Sequence, residues 1–135
     1  MEASDVLKPG LAGEKSETVT EENVAESWGS GGLPVYATPA MIGLMEGAAV
    51  NAIGRLLPPG WSTVGTRVEV KHLSATPVGL EVRAAAELLE IDGRRLSFKV
   101  EAFNGVDKIG EGYHDRFIVE KERFLKKTGE KKPLH

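Results

Sequence analysis

Glu46 is the only charged residue in the 28-residue stretch between Glu26 and Arg55, and its neighbours are Leu44, Met45, Ala48 and Ala49. An unpaired carboxylate buried there costs several kcal/mol unless it is paired or protonated. A structural acid would need a basic partner or another element to cap. A functional one would be a general base or nucleophile whose proton affinity is tuned by burial. His72 ends an alternating face made by Val64, Thr66, Val68 and Val70, so it points toward the same interior. It is either a hydrogen-bonded core side chain or, beside Glu46, the imidazole of a carboxylate–imidazole acid–base unit. Thr38, before Pro39, has the form of an ordinary helix N-cap. The same helix start offers free N–H groups and the positive end of the dipole to a carbonyl oxygen or carboxylate. Thr38 and Glu46 stand eight residues apart, about 80° around a helix and two turns along it, so they can line one groove without touching. His114 and Arg116 share a strand face with Gly110 and Gly112, where missing side chains leave room for a ligand or another chain.

A helix and a sheet must position these groups. The helix is expected from Ala40 to Leu57, entered through Thr38-Pro39 and closed by Pro58-Pro59-Gly60. Its centre is apolar on nearly every side, which predicts burial all round. After Gly60 the period changes to two. Strands are expected over 64–72, 80–91, 95–102 and 107–120, with a bulge where the phase slips at Leu88-Leu89. Asp92-Gly93 and Asn104-Gly105 mark hairpins. A further edge strand fits 14–20, and one helical turn fits 21–32 ahead of a Gly/Ser segment. Residues 1–13 and 126–135 are expected as loosely ordered tails, the charged 120–135 ending as coil. The sum is an α+β domain over 1–135, an antiparallel sheet curved around a helix. One small sheet leaves such a helix bare on one side, which predicts a homodimer.

The 135 residues carry 17 Lys+Arg against 20 Asp+Glu, a net charge of −3, which argues against nucleic acid as a partner. There is no cysteine, which excludes disulfides, thiolate metal sites and Cys nucleophiles. No apolar run approaches the roughly 20 residues of a membrane span, and MEASDVLKPG lacks the pattern of a signal peptide. The expected setting is the cytoplasm, away from membranes.

Three segments, ATPAMIGLMEGAAV (37–50), VGTRVEVKHLSATPVGL (64–80) and LEIDGRRLSFKVEAFNGVDKIGEGYHDRF (89–117), occur in the order that resembles the fluoroacetyl-CoA thioesterase-like branch of the hot-dog superfamily. The resemblance covers about 14–125. It implies a hot-dog fold, with about five antiparallel strands wrapped around one long central helix and a dimer that continues the sheet. It implies hydrolysis of a short acyl-CoA to the free acid and CoA, with no metal or redox cofactor. The family's catalytic Thr, Glu and His match Thr38, Glu46 and His72, and its substrate-contacting Gly and Arg match Gly65 and Arg116. Where the fluoroacetate-selective enzyme has a phenylalanine gate, six residues before its threonine, this chain has Gly32. That departure points to a broader or different short acyl group. Two other readings of the same residues are a non-catalytic acyl-CoA or small-acid binding module and a hot-dog enoyl-CoA hydratase.

Overall fold

The computed structural model describes residues 2–134. A 3-10 turn, Ala3–Val6, precedes β1 (Ala12–Thr18), α1 (Thr38–Ile53), β2 (Trp61–His72), β3 (Glu81–Asp92), β4 (Arg95–Phe103), β5 (Lys108–Glu120) and α2 (Lys121–Gly129). The five strands form one antiparallel sheet in the order β1-β3-β4-β5-β2. The core lies between α1 and the inner face of the sheet. Met41, Leu44, Met45, Ala48, Ala49 and Ile53 of α1 meet Val82, Leu88, Phe98, Val100, Ile109 and Ile118, all buried.

Small residues set how closely the layers approach. A Cβ on Gly13 of β1 would fall 2.4 Å from the Ala52 backbone nitrogen and 2.5 Å from the Ala48 carbonyl oxygen. Strand and helix backbones therefore touch at this point. Gly13→Ala is expected to lower stability by about 2 kcal/mol, because backbone cannot yield as a side chain tip can. A shift of the urea midpoint checks it, and an unchanged midpoint contradicts that packing.

Several expectations need correction. Thr38 is the first residue of α1 rather than its cap; Ala37 holds the cap position, in extended backbone, and no side chain caps the helix. The helix ends at Ile53, four residues before Leu57. It is not buried all round: Pro39, Gly43 and Val50 are exposed, and Ile42 and Glu46 are half-buried along the same stripe. Among the described residues there are two α-helices, since residues 121–129 form α2 where coil was expected. Near the other end, Ala3 and Leu7 reach the core.

The bulge at Leu89 lies where the phase slip put it, between Leu88 and Glu90. A second one, between Gly65 and Arg67, reverses the phase of β2. After it Val68, Val70 and His72 stand opposite His114, Gly112 and Gly110, whereas before it Gly65, not Val64 or Thr66, stands opposite the buried Arg116, so the single inward face drawn from Val64 to His72 does not exist. The first hairpin turns on Gly93-Arg94, with Gly93 at φ +62°, the conformation a two-residue hairpin asks of its first position. The second is a loop over 104–107 in which Asn104 Oδ1 accepts the backbone N–H groups of Val106 (2.9 Å) and Asp107 (2.7 Å). Its Nδ2 donates to Thr76 Oγ1 at 3.1 Å, a pair in which both residues are buried. No described helix is long and apolar enough to cross a membrane.

Candidate active site

Because Thr38 does not cap the helix, its hydroxyl is free for another partner. That partner is His72, with Oγ1 2.7 Å from Nδ1. The end of β2 and the start of α1 thus meet through one hydrogen bond. Both residues line a cavity of about 380 Å³, walled also by Gly32, Leu33, Tyr36 and Ser74. The buried Tyr36 hydroxyl donates to the Glu17 carboxylate. Burial, reinforced by Glu17, raises the phenol's pKa and keeps it protonated. His72 Nε2 is shielded from solvent and has no hydrogen-bond partner among the described residues. Burial lowers the pKa of this imidazole, so it favours the neutral ring.

Glu46 belongs to a second cluster. Its Oε2 lies 3.7 Å from Arg116 Nη1. A Cβ on Gly65 would stand 2.9 Å from that same Oε2, 3.3 Å from His114 Cε1 and 3.4 Å from Arg116 Nη1. The missing side chain of Gly65 is what gives the carboxylate its place, directly opposite Arg116 in the β2–β5 register. Arg116 is held from the other side by Thr63, whose Oγ1 accepts from Nε (2.8 Å) and whose carbonyl accepts from Nη2 (3.0 Å). His114 Nδ1 donates to the Arg67 carbonyl at 2.7 Å, which leaves Nε2 as acceptor for Arg116 Nη1 at 3.2 Å. Burial, the largest influence, holds His114 below its ordinary range.

The five residues singled out from sequence therefore fall into two groups, Thr38 with His72 and Glu46 with Gly65 and Arg116. The imidazole grouped with Glu46 is His114, not His72 as expected. Nor is Glu46 sunk in the core: its side chain is 39% exposed in the single chain. His114 was legible only as a neighbour of Arg116 on a glycine-lined face; the alternation in Gly110, Gly112, His114 and Arg116 was the available signal. Eight residues of helix separate Thr38 from Glu46, about 12 Å along the axis.

Two imidazoles held neutral have a consequence for stability. Unfolding returns both to the ordinary value near 6.5. Below it the unfolded chain binds more protons, so stability present above about pH 6.5 is lost as pH falls through the lowered folded values. Urea midpoints measured from pH 7.5 downward are expected to begin falling near pH 6.5 and to fall less in His114→Gln. A flat profile to pH 5 contradicts the neutral rings.

Residues 19–122 match the model of a family described as fluoroacetyl-CoA-specific thioesterase (FlK). A fluoroacetyl-CoA thioesterase of Streptantibioticus cattleyicolor is 48% identical over 99 residues, 73% of this chain and 71% of that protein. The solved structure of the fluoroacetyl-CoA thioesterase FlK superposes with a TM-score of 0.87 at 38% identity, covering 94% of this chain and 98% of the other. A hot-dog-like protein from Thermanaerovibrio acidaminovorans, 21% identical, shares the fold with a TM-score of 0.86 over 96% of each chain.

Proposed function

The chain belongs to the fluoroacetyl-CoA-specific thioesterase family and has the hot-dog fold, and on that premise we propose that it hydrolyses the thioester of a short acyl-CoA to the free acid and CoA. The observation that carries this reading is the Thr38–His72 hydrogen bond in the lining of a cavity. For this role the Thr38 hydroxyl donates to Nδ1, and the neutral ring then carries its proton on Nε2. In this reading the N–H at Nε2 is the donor for the carbonyl oxygen as it becomes an oxyanion and for the departing sulfur, where one well-aimed donor is worth about 3 kcal/mol. Thr38 orients the ring. Glu46 takes a proton from the attacking water, the hydroxyl oxygen joins the acyl carbon, the C–S bond breaks, and the proton ends on the CoA thiolate. Gly65 and Arg116 hold the substrate beside Glu46.

The two clusters come together in a homodimer. The exposed stripe of α1 runs through Gly43, midway between Thr38 and Glu46, and β2 is an unpaired sheet edge. A two-fold axis near Gly43 and the middle of β2 sets two α1 helices antiparallel and continues the sheet across the edges. It lays Thr38 and His72 of one protomer against Glu46, Gly65 and Arg116 of the other. The exposure of Glu46 in the single chain is accounted for by this arrangement.

Gly32 lines the cavity and a Cβ there would meet nothing within 4 Å. The acyl pocket therefore has no bulky gate at this place and accepts several short acyl groups. The cytoplasm, where CoA thioesters are made and consumed, is the setting this reading carries. The test is free-thiol release from acetyl-, propionyl-, butyryl- and fluoroacetyl-CoA. Turnover of several, with fluoroacetyl-CoA favoured by less than about tenfold in kcat/KM, is expected. Release of no thiol, or conversion of crotonyl-CoA to a hydroxyacyl-CoA, overturns the assignment.

A further inference from the structure

An arginine and a carboxylate that meet away from bulk water ordinarily close to about 2.7–2.9 Å. Arg116 and Glu46 do not. Arg116 is buried, yet its Nη1 stops 3.7 Å from Glu46 Oε2. The same Nη1 lies 3.2 Å from Nε2 of His114. Thr63 engages Nε and Nη2 only, so it leaves Nη1 unopposed. A neutral nitrogen thus holds the edge of the guanidinium that faces the acid.

The acceptor character of His114 is built into the backbone. The side chain is buried, with the Phe98 ring of β4 beside it, centroids 6.4 Å apart. Nδ1 donates to the Arg67 carbonyl at 2.7 Å, so Nε2 presents a lone pair. Arg67 directly follows the β2 bulge, and a bulge re-aims the groups beside it. The Arg67 side chain pairs with Glu69 and Asp115, so its carbonyl is the group that reaches His114. The charged groups around the ring are Arg116 and Asp115 of its own strand and Glu46 of α1. Burial favours the neutral ring, which keeps the lone pair available at neutral pH.

We propose that His114 is a positioning residue, a proposal that rests on the thioesterase reading of the site: it engages Arg116 so that the guanidinium does not close onto Glu46, and the carboxylate stays free to take the proton of the attacking water. A carboxylate in direct contact with arginine binds protons less readily. A general base needs a proton affinity matched to the working pH.

Two amides separate the two ring nitrogens. His114→Gln can carry an amide oxygen to where Nε2 stands, whereas His114→Asn reaches only as far as Nδ1. With acetyl-CoA, His114→Asn is expected to lower kcat at least about 30-fold with KM changed less than about threefold, and His114→Gln to keep kcat within about fivefold. In protein with isotope-labelled glutamate carboxyls, the Glu46 signal is assigned by Glu46→Gln. Its titration midpoint should fall by about one pH unit in His114→Asn and hold in His114→Gln. Starting from Arg116→Met, the midpoint should not move when His114→Asn is added, because no cation remains to close. A midpoint that does not fall, or that falls equally without Arg116, overturns the proposal. So does a His114→Gln variant as impaired as His114→Asn. In the unaltered protein, the ring nitrogen signals of labelled histidine should show His114 protonated at Nδ1 alone near neutral pH, and a proton on Nε2 overturns the proposal whether or not the variants fold. If acetyl-, propionyl-, butyryl- and fluoroacetyl-CoA all release no thiol, the thioesterase reading falls instead, and the glutamate and histidine signals decide the His114–Arg116 arrangement alone.

Discussion

His72→Ala and Glu46→Ala are each expected to lower kcat/KM for acyl-CoA hydrolysis by about 10²–10⁴, the range for loss of a positioned acid–base group. Mixing the two inactive proteins under conditions of subunit exchange is expected to restore about a quarter of the original activity, because half the dimers are then mixed and each has one intact site. The reasoning is geometric. Thr38 and His72 meet at one end of α1, while Glu46, Gly65 and Arg116 meet about two turns further along. If each site draws one cluster from each subunit, a mixed dimer places both losses in one site and leaves the other whole. If a site is built within a single chain, every site in the mixture has one defect and no activity returns. Recovery thus reports on the sharing of the site, and the single-variant rates report on the residues. Near-full activity of either variant alone removes that residue from the chemistry.

Gly65→Ala is the second large effect. The added methyl group would sit 2.9 Å from Glu46 Oε2, so the carboxylate must swing away. The atom displaced is the tip of a flexible side chain, which can move without a shift of backbone. Stability should therefore change little, with a shift in Tm below about 4 °C. The displacement falls on the group proposed to take the proton from water, and misplacement of about 1 Å can cost 100-fold in rate. The expected result is a fall of about 10² in kcat with near-native stability. A kcat within twofold of the unaltered protein would mean that the carboxylate does not need the place Gly65 leaves for it.

How far the chain could be read in advance differed from element to element. Alternation over β3, β4 and β5 and the slip at Leu88-Leu89 located those strands, because each has one buried face and the side-chain period betrays it. β2 hid its bulge. A threonine at 66 keeps the polar–apolar pattern unbroken, so the reversal of phase between Gly65 and Arg67 left no trace in residue types. α1 was found readily, but its exposed stripe was not, since alanine, glycine and valine look alike whether they face a core or a second subunit. Thr38 and His72 each stand out singly, but their hydrogen bond joins positions 34 apart in the chain and leaves no local pattern. Glu46 stood out by its isolation in charge, whereas its neighbours His114 and Arg116 come from 68 or more positions later in the chain, a contact no local pattern encodes.

The loop at Asn104 bears on how the protein ages. An asparagine followed by glycine is prone to spontaneous deamidation, because the next backbone nitrogen attacks the side-chain carbonyl carbon. Here the side-chain oxygen is engaged by two backbone N–H groups and the amide nitrogen is tied to Thr76. The attacking geometry is blocked while those bonds hold. Long storage should therefore leave this position intact in the native fold, and conversion to aspartate or isoaspartate should track the fraction of time the hairpin tip is open.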